Sequence, residues 1–423
     1  MREEEEEYKL NTKLLTYNIK VSKLVSNKVR KIEDIDTEVA GIIITNLLAC
    51  VIKGQALLYS RNTSRSSAEK TKYNKRGITA HRIMKAVDRL VEEGLIYNQI
   101  GKPNAIKEKR VMSFIAPTQE FIEEFCTQPE QALIALSEYN AALQTIILRN
   151  EYGNEINYQD TDNIRKARGV VEELNAINES YEIRDGSGNL MTNIYSRIFN
   201  KDMRHGGRYY HSDVLKLENK KTKSRLDITI QGKPVLEIDF RNLHFRIAAI
   251  LEGVDDSSLP LDVYMDILPE DMRDNYHREI VKLAVNILFN SKSKEKADGA
   301  LQKEINKVKE HLSASFHTAK MVRLAIYDAT PEFISCYCRE DSFGLALQNS
   351  DSWLAQRVIE CFIAENRPLL PVHDSFVVDR DDVGLLIKAM GDSFREEFGV
   401  DYDVQLKMSL KEDGKLIEEN ITG

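Results

Sequence analysis

Residues 369–378 read LLPVHDSFVV, and this stretch decides how the C-terminal half of the chain is interpreted. Apolar runs flank His373, Asp374 and Ser375, which is typical of two buried strands joined by a tight turn. Asp and Ser favour turns because their side chains hydrogen-bond the nearby backbone, so the tripeptide can be an ordinary surface turn. Alternatively, the hairpin presents Asp374 to a metal ion. These ten residues leave both interpretations open.

The 423-residue chain has the composition of a globular protein, with 42% hydrophobic and 30% charged residues. It contains no apolar run near the ~20 residues of a membrane helix. Its start, MREEEEEYKL, lacks the basic and apolar regions of a signal peptide. Its five cysteines show no CxxC pair and no zinc spacing. We therefore expect a cytoplasmic protein with reduced cysteines and no membrane partner.

Although the whole chain has a net charge of −8, residues 61–110 are basic, with thirteen Lys or Arg and five Asp or Glu. Electrostatic fields are screened within about 10 Å, so a local patch can bind phosphates even in an acidic protein. Residues 77–96 carry apolar side chains at helical spacing, with Thr79 as N-cap and Gly94 at the C-terminal end. The following residues predict a strand, a basic turn and a second strand.

A helix followed by a basic hairpin resembles a winged helix-turn-helix, with residues 41–60 as an earlier supporting helix. The alternative is an amphipathic helix whose charged face is solvated. In the first interpretation the helix and the wing contact DNA or RNA. The predicted contact residues are His81, Arg82, Lys85, Lys102, Lys107, Lys109 and Arg110.

A second carboxylate lies near the end of the apolar strand VLEIDF, residues 235–240. Alternation along a strand places Glu237 and Asp239 on one face, where burying two carboxylates is costly without a neutralising group. Asp239 and Asp374 are thus strand-end acids separated by more than a hundred, largely helical residues. Two carboxylates that converge from separate strands can hold a pair of Mg²⁺ ions for phosphoryl transfer.

Between these acids, HREIVKLAVNILFN predicts a helix over residues 277–290. Arg278, Lys282, Asn286 and Asn290 are spaced four apart, so they form a stripe along one helix face. Two cations and two amides in this order can hold a triphosphate and then a nucleoside. The alternative is a solvated helix face.

Five stretches in this order resemble segments of the superfamily of family A DNA polymerases and phage-type single-subunit RNA polymerases. They are GGRYY (206–210), EIDFRNLHFR (237–246), HREIVKLAVNILFN (277–290), LQNSDSWLAQRVI (347–359) and VHDSF (372–376). The second, third and fifth match motifs A, B and C, and the fourth matches the helix before motif C. The resemblance covers residues 204–378 and says nothing specific about residues 1–200.

The resemblance implies a role for each matching residue. Asp239 and Asp374 would hold two Mg²⁺ ions, for which Mn²⁺ can substitute, and the carbonyl of Phe240 would add a ligand. Arg278 and Lys282 would bind the incoming triphosphate and neutralise charge as pyrophosphate leaves.

Further residues are expected at the nucleic acid and the nucleotide. Arg208 and Gln348 would contact the minor groove, and His373 would lie beside the growing end. The nucleotide-facing positions depart from the family pattern: His244 replaces a glutamate of the DNA polymerases. Asn286 replaces an aromatic residue or Met of motif B, and Asn290 replaces its tyrosine.

The residue patterns and the resemblance together predict an α+β fold in four parts, of which only the last rests on the resemblance. Residues 1–40 form an acidic segment, residues 41–128 a winged-helix-like nucleic-acid-binding domain, and residues 129–200 a helical thumb-like or linker region. Residues 201–423 form the catalytic domain, an antiparallel palm sheet with helical fingers inserted at about 255–345. Helical periodicity in QALIALSEYNAALQTIILRN and two strands joined by a Gly-Lys-Pro turn in RLDITIQGKPVLEIDF agree with this division.

The predicted function is template-directed nucleic-acid polymerisation, as a DNA-directed RNA polymerase or primase. VHDSF and GGRYY favour RNA synthesis, whereas DFRNLHFR aligns with the DNA polymerases, so a family A-like DNA polymerase is the first alternative. The others are a two-metal nuclease and a winged-helix regulator or replication initiator with an inactive palm. The expected partners are a DNA template, nucleoside triphosphates and an accessory subunit.

Replacing Lys107, Lys109 and Arg110 together with Ala should weaken DNA binding. Each lost phosphate contact removes nearly one counterion from the equilibrium, so the salt dependence should flatten by up to roughly three units of slope. Fluorescence anisotropy at a series of salt concentrations measures this slope. An unchanged slope would mean that these cations are merely solvated.

Overall fold

The buried apolar residues form two clusters, and the chain divides between them into two units, Met1–Gln144 and Thr145–Gly423. The structure is a computed structural model that describes residues 12–52, 54–61, 70–101, 112–218, 222–254 and 259–423. The wing residues Lys102, Lys107, Lys109 and Arg110 lie outside these ranges, so their roles stay predictions.

The first unit is a helical layer on a small sheet. Its elements are β1 (Thr12–Leu14), α1 (Lys23–Val29), α2 (Thr37–Val51), β2 (Ala56–Tyr59), α3 (Ala80–Glu92), β3 (Ile96–Gln99), β4 (Ser113–Pro117), α4 (Gln119–Phe125) and α5 (Pro129–Ala142). The sheet order is β1-β2-β4-β3, with β3 and β4 antiparallel. The predicted order of a helix followed by a hairpin is therefore present in α3, β3 and β4.

Helix α3 begins and ends where the sequence predicts. The Thr79 side chain accepts a hydrogen bond from the Arg82 backbone N–H, which caps the first turn. Gly94 follows the helix with φ of 69°, a backbone conformation that glycine adopts without strain. Ile83, Val87 and three further apolar residues face the core, so the polar residues lie on the other side.

Two predicted helices are wrong in their second halves, because each gives way to a strand. Helix α2 ends at Val51, and the end of the predicted 41–60 helix forms β2, which pairs with β4. Helix α5 ends at Ala142, and Ile146–Arg149 forms a strand of the second unit. Short apolar runs fit a strand or a helix equally well by periodicity, and sheet pairing decides between them.

Among its described residues, the second unit has eight helices and two β-sheets, a main sheet of seven strands and a three-stranded sheet. The strands are β5 (Ile146–Arg149), β6 (Ile183–Arg184), β7 (Ser196–Asn200), β8 (Asp202–Tyr210), β9 (Thr229–Ile230), β10 (Lys233–Phe240), β11 (Leu370–Val372), β12 (Ser375–Asp379), β13 (Gln405–Glu412) and β14 (Lys415–Thr422). The helices are α6 (Asp162–Ser180), α7 (Leu243–Glu252), α8 (Val263–Asp266), α9 (Asn275–Asn290), α10 (Lys294–Val308), α11 (Ala319–Ala329), α12 (Phe343–Ala364) and α13 (Val383–Phe398). The three-stranded sheet has the order β5-β7-β8.

The main sheet of this unit has the order β11-β12-β10-β13-β14, and every neighbouring pair is antiparallel. The predicted antiparallel sheet is thus confirmed. Helices α7 to α12 lie between β10 and β11 in the chain, which agrees with a helical insertion between the two predicted acids. No helix within the described residues has both the length and the apolar composition to cross a membrane.

The turn before β10 lies earlier than predicted. Gln231 and Gly232 connect β9 to β10 with φ of 51° and 75°, as in a two-residue hairpin turn of type I′. Lys233 and Pro234 therefore belong to the strand.

Of the predicted domain boundaries, residue 40 lies inside α2 and residue 200 is the last residue of β7. The division of the chain into four parts with separate roles stays a prediction.

His211, just after β8, should make folding sensitive to acid. Burial lowers its pKa to about 4, with help from the charges of Arg149 and Lys216, and its buried Nδ1 has no hydrogen-bond partner among the described residues. The unfolded chain binds this proton near pH 6.5 and the folded chain does not, so stability falls as the pH drops from about 6.5 to about 4.

His211→Asn should reduce this loss, since Asn does not titrate and tolerates the φ of 80° at this position. Urea unfolding at pH 7 and pH 4.5 gives the free energy of unfolding at each pH. His311→Asn, at a side chain that is 44% exposed, is the control and should leave the loss unchanged. Equal losses in both variants would contradict the assignment.

Candidate active site

Of the two predicted metal-binding acids, Asp239 lies on β10 and Asp374 lies in the turn that leads into the adjacent strand β12. Asp239 lies opposite Ser375 in the β10–β12 ladder. The next residue, Phe240, donates its backbone N–H to the carbonyl oxygen of Asp374 at 3.3 Å. His373, with φ of 62°, and Asp374 form the turn between β11 and β12. The strand register therefore brings Asp374 beside the end of β10.

The surroundings of Asp239 raise its pKa well above the ordinary value. Burial contributes most, the charges of Asp374 and Glu237 add to it, and Lys282 and Lys407 oppose it. Neither the Asp239 nor the Asp374 carboxylate has an ion-pair or side-chain hydrogen-bond partner among the described residues. Two such acids repel each other, and a bound divalent cation would remove that repulsion.

Glu237 lies on the same face of β10 but is already neutralised. Arg225 donates to its carboxylate at 2.6 Å, and the Ser375 hydroxyl donates to it at 2.6 Å. Within the described ranges, no group of three or more His, Cys, Asp or Glu is placed to hold a metal ion. Of the three acids, Asp239 and Asp374 are the two without such a partner among the described residues, and carboxylate oxygens suit Mg²⁺ when substrate and water complete its shell.

The two cations of α9 differ in their partners. Lys282 has no ion-pair partner among the described residues, and its charge lowers the pKa of Asp239, so it lies near that carboxylate. Arg278 donates from Nε to Asp262 at 2.7 Å and from Nη1 to Glu279 at 2.7 Å. Lys282 is thus available to a phosphate, whereas Arg278 shares its charge with Asp262.

The two amides of the predicted stripe lie further along α9. The side chain of Asn290 donates to the backbone carbonyl of Asn286 at 2.8 Å, one helical turn before it. Gly344, in the first turn of α12, packs against Asn290: a Cβ added there would lie 2.3 Å from the Asn290 Oδ1 atom. The close approach of α12 to the end of α9 therefore requires glycine at this position.

Tyr264 is a site residue that sequence reasoning missed. Its ring is 7% exposed, and the cationic groups of Arg278 and Lys282 lie 5.8 and 6.0 Å from its centroid. Burial raises the pKa of its hydroxyl, and the negative charge of Asp374 raises it further. Tyr264 thus lies near both the acids and the cations of α9, a position that no sequence spacing indicates because these groups come from separate elements of the chain.

Asp351 of α12 joins two of the predicted residues. Arg208, on β8, donates to its carboxylate from Nε at 3.0 Å and also from Nη2. The Nε2 atom of His244, at the start of α7, lies 2.8 Å from the same carboxylate. The sequence carried one indication of this cluster: Asp351 shares the buried face of its helix with Leu347 and Leu354, where a carboxylate needs a partner.

His373 and Gln348 border this cluster. The ring of His373 packs edge-on against Tyr210 with centroids 5.6 Å apart, and its buried Nδ1 has no partner among the described residues. Burial lowers the pKa of His373, and the charge of Arg208 lowers it further. Gln348 is partly buried on α12, and its side chain has no hydrogen-bond partner in the described part of the chain.

The predicted nucleic-acid residues of the first unit lie on α3. His81 and Lys85 are exposed. The guanidinium of Arg82 donates to Asp36 at 2.7 Å and to Glu38 at 3.0 Å, so its charge is compensated within the unit. Their contact with nucleic acid stays a prediction.

Comparison with known proteins adds little. No protein-family model and no curated protein matches the chain. Among solved structures, it is similar to the POL domain of Pol1 from M. smegmatis in complex with DNA primer-template and dNTP, with 14% identity and a TM-score of 0.32. The match covers 92% of this chain and 66% of that chain. A similarity this low decides neither fold nor function.

Mg²⁺ binding should release protons. Because burial and neighbouring acids raise the pKa of Asp239, a fraction of the metal-free protein carries a proton there that a metal ion displaces. Asp374→Asn removes the largest charge contribution to this shift and a metal ligand, so proton release and metal affinity should both fall. Isothermal titration calorimetry in two buffers with different ionisation enthalpies measures the protons released.

The matched control is Asp392→Asn, because this acid pairs with Lys388 and Arg395 on the surface of α13. It should release as many protons as the unaltered protein. The same release from the Asp374 variant would contradict the assignment of the site.

Proposed function

We propose that the second unit adds nucleotides to a nucleic-acid strand by template-directed, two-metal phosphoryl transfer. The observation that carries this proposal is the pair of acids without ion-pair partners, Asp239 at the end of β10 and Asp374 in the turn before the adjacent strand β12, with the unpaired Lys282 near Asp239. Paired carboxylates next to a cation match a reaction in which metal ions and a triphosphate meet.

In this proposal each group of the site has one task. Two Mg²⁺ ions, or Mn²⁺ in their place, would activate the attacking hydroxyl and stabilise the leaving group. Asp239, Asp374 and the carbonyl of Phe240 hold them. Lys282 binds the phosphates and neutralises charge as pyrophosphate leaves, and Arg278 joins it through the donors that Asp262 leaves open.

Nucleic-acid binding is divided between the two units. Gln348 and His373 have side-chain groups without partners among the described residues, which makes them available to a strand. Arg208, although paired with Asp351, has guanidinium donors left for the minor groove. The basic segment of the first unit would anchor DNA through its phosphates.

RNA synthesis, by an RNA polymerase or primase, is the function we favour, with a family A-like DNA polymerase as the alternative. Asn286 and Asn290 would lie along the nucleoside, where the polymerases have aromatic residues. A nuclease is less favoured because Glu237, which would complete its ligand set, is bound to Arg225. A regulator with an inactive palm leaves the unpaired acids unexplained. A cytoplasmic location and an accessory subunit remain part of the proposal.

Asp374→Asn should abolish nucleotide incorporation and leave folding and DNA binding nearly intact. Losing the charge of a metal ligand removes several kcal/mol of transition-state stabilisation, whereas a substitution in a turn costs little stability. Extension of a labelled primer–template with Mg²⁺ and either rNTPs or dNTPs measures incorporation. Thermal unfolding and anisotropy measure the other two properties.

Asp381→Asn is the matched control, because this exposed acid lies just after β12 and pairs with Lys233. It should incorporate nucleotides at the unaltered rate. Retention of a tenth of that rate by the Asp374 variant would refute the two-metal assignment.

A further inference from the structure

Arg197, on β7, is a fully buried cation that contacts no carboxylate among the described residues. The acceptors of its guanidinium are neutral: Nε donates to the carbonyl of Gly207 at 2.8 Å, Nη1 to Gln356 at 2.5 Å and Nη2 to Ser352 at 2.9 Å. Burying a cation without an opposite charge is costly. A neutral side chain would avoid this cost, so Arg197 must supply something that a neutral residue does not.

Three aromatic rings offset part of the cost. The guanidinium carbon of Arg197 lies 4.4 Å from the ring centre of Trp353, 5.1 Å from that of Phe199 and 5.3 Å from that of Tyr209. The face of an aromatic ring is negative and attracts a cation. Burial lowers the pKa of Arg197, although Tyr209 and the charge of Asp351 oppose this change. The guanidinium is the strongest base among the side chains, so these rings surround a cation.

The bonds of Arg197 run beside the ion pair that Arg208 forms with Asp351. On β8, Gly207 directly precedes Arg208, and on α12, Ser352 directly follows Asp351. Arg197 therefore joins β8 to α12 one residue away from the place where Arg208 joins them. A movement of β8 along α12 at this level would break both connections together.

Strand β8 contains a β-bulge at Gly207. The register of the β7–β8 ladder shifts after the pair of Ile198 and Arg208, which leaves Gly207 as an extra residue in β8. Gly207 has φ of 94°, a conformation that favours glycine. A bulge changes the direction of the side chain beside it, which here is Arg208. The bond from Arg197 to the Gly207 carbonyl holds the bulge in one conformation.

We propose that Arg197 is a positioning residue for nucleic-acid binding, because it fixes the bulge of β8 against α12 and thereby sets the direction of the Arg208 guanidinium. This inference rests on the proposed function, in which Arg208 contacts the minor groove. Arg197 itself is buried and does not touch the strand. Lysine cannot take its place, since a planar guanidinium directs donors to several acceptors at once and an ammonium group is a single point charge.

NMR of the arginine side chains tests the positioning without any substrate. The Nε–H group of Arg208 donates to the buried Asp351 carboxylate at 3.0 Å, so its resonance, identified by its loss in Arg208→Lys, should exchange slowly with water. Arg197→Lys should shift this resonance and speed its exchange. The control is Arg357→Lys, on the same helix as Asp351 but with a side chain that is 43% exposed, and it should change neither. An unshifted Arg208 resonance in the Arg197 variant would overturn the inference.

A double-mutant cycle tests whether Arg197 acts on the strand through Arg208. Arg197→Lys should raise the dissociation constant of a labelled primer–template roughly tenfold, measured by fluorescence anisotropy. In the Arg208→Ala background the same substitution should change this constant by less than about twofold, because the contact that Arg197 positions is already absent. Equal losses in the two backgrounds would mean that Arg197 only stabilises the fold, and would overturn the inference.

Gly207→Ala tests the same bulge with every other side chain in place. An added Cβ would lie 2.6 Å from the Phe199 ring and 2.8 Å from the Ser352 hydroxyl, so the bulge must move. Gly188→Ala is the matched control, because Gly188 has a similar φ of 82° and an added Cβ there has no neighbour within 4 Å among the described residues. The Gly207 variant should weaken primer–template binding and shift the Arg208 resonance, and the control should do neither. A Gly207 variant that behaves like the control would contradict the proposal.

Failure of this inference and failure of the proposed function give different results. A shifted Arg208 resonance and a coupled loss of primer–template binding would support the inference even if no nucleotide is incorporated, in which case only the reaction is wrong. Nucleotide incorporation with an Arg208 resonance that stays unshifted in the Arg197 variant would overturn the inference and leave the proposed function standing.

Discussion

The register of the β10–β12 ladder is the constraint on which the rest of the site depends. It sets Asp239 opposite Ser375 and thereby brings Asp374 beside the end of β10. A slip of one residue would turn Asp239 to the other face and bring Ile238 into its place, because side chains alternate along a strand. The same register lets the Ser375 hydroxyl reach Glu237, so that one acid is neutralised and two remain unpaired.

Helix α12 connects two further elements of the site, β8 and α7. Asp351 holds Arg208 of β8 and His244 of α7 from one buried carboxylate. A second buried contact joins α12 to the three-stranded sheet that contains β7 and β8. In it, Arg197 of β7 donates to the hydroxyl of Ser352 at 2.9 Å. Buried charges are costly unless each is paired, so these bonds restrict the helix to one position relative to β7 and β8.

Local features were predictable from the sequence, and long-range partnerships were not. The hairpin at Asp374, the helix with Arg278 and Lys282 and the cap at Thr79 follow from periodicity and turn chemistry, which act over a few residues. Strands β2 and β5 were mistaken for helix, since only pairing with distant strands decides their state. Asp351 and Tyr264 were missed because their roles arise from contacts far apart in the chain.

The central claim is that Asp239 and Asp374 hold a pair of divalent cations. A crystal structure with Mn²⁺, a primer–template and a non-hydrolysable nucleoside triphosphate tests it most directly, because anomalous scattering locates the metal ions. We expect two peaks about 3.5–4 Å apart between the two carboxylates, with Lys282 at the phosphates. A nucleotide bound without metal at these carboxylates, or metal bound at another set of side chains, would contradict it.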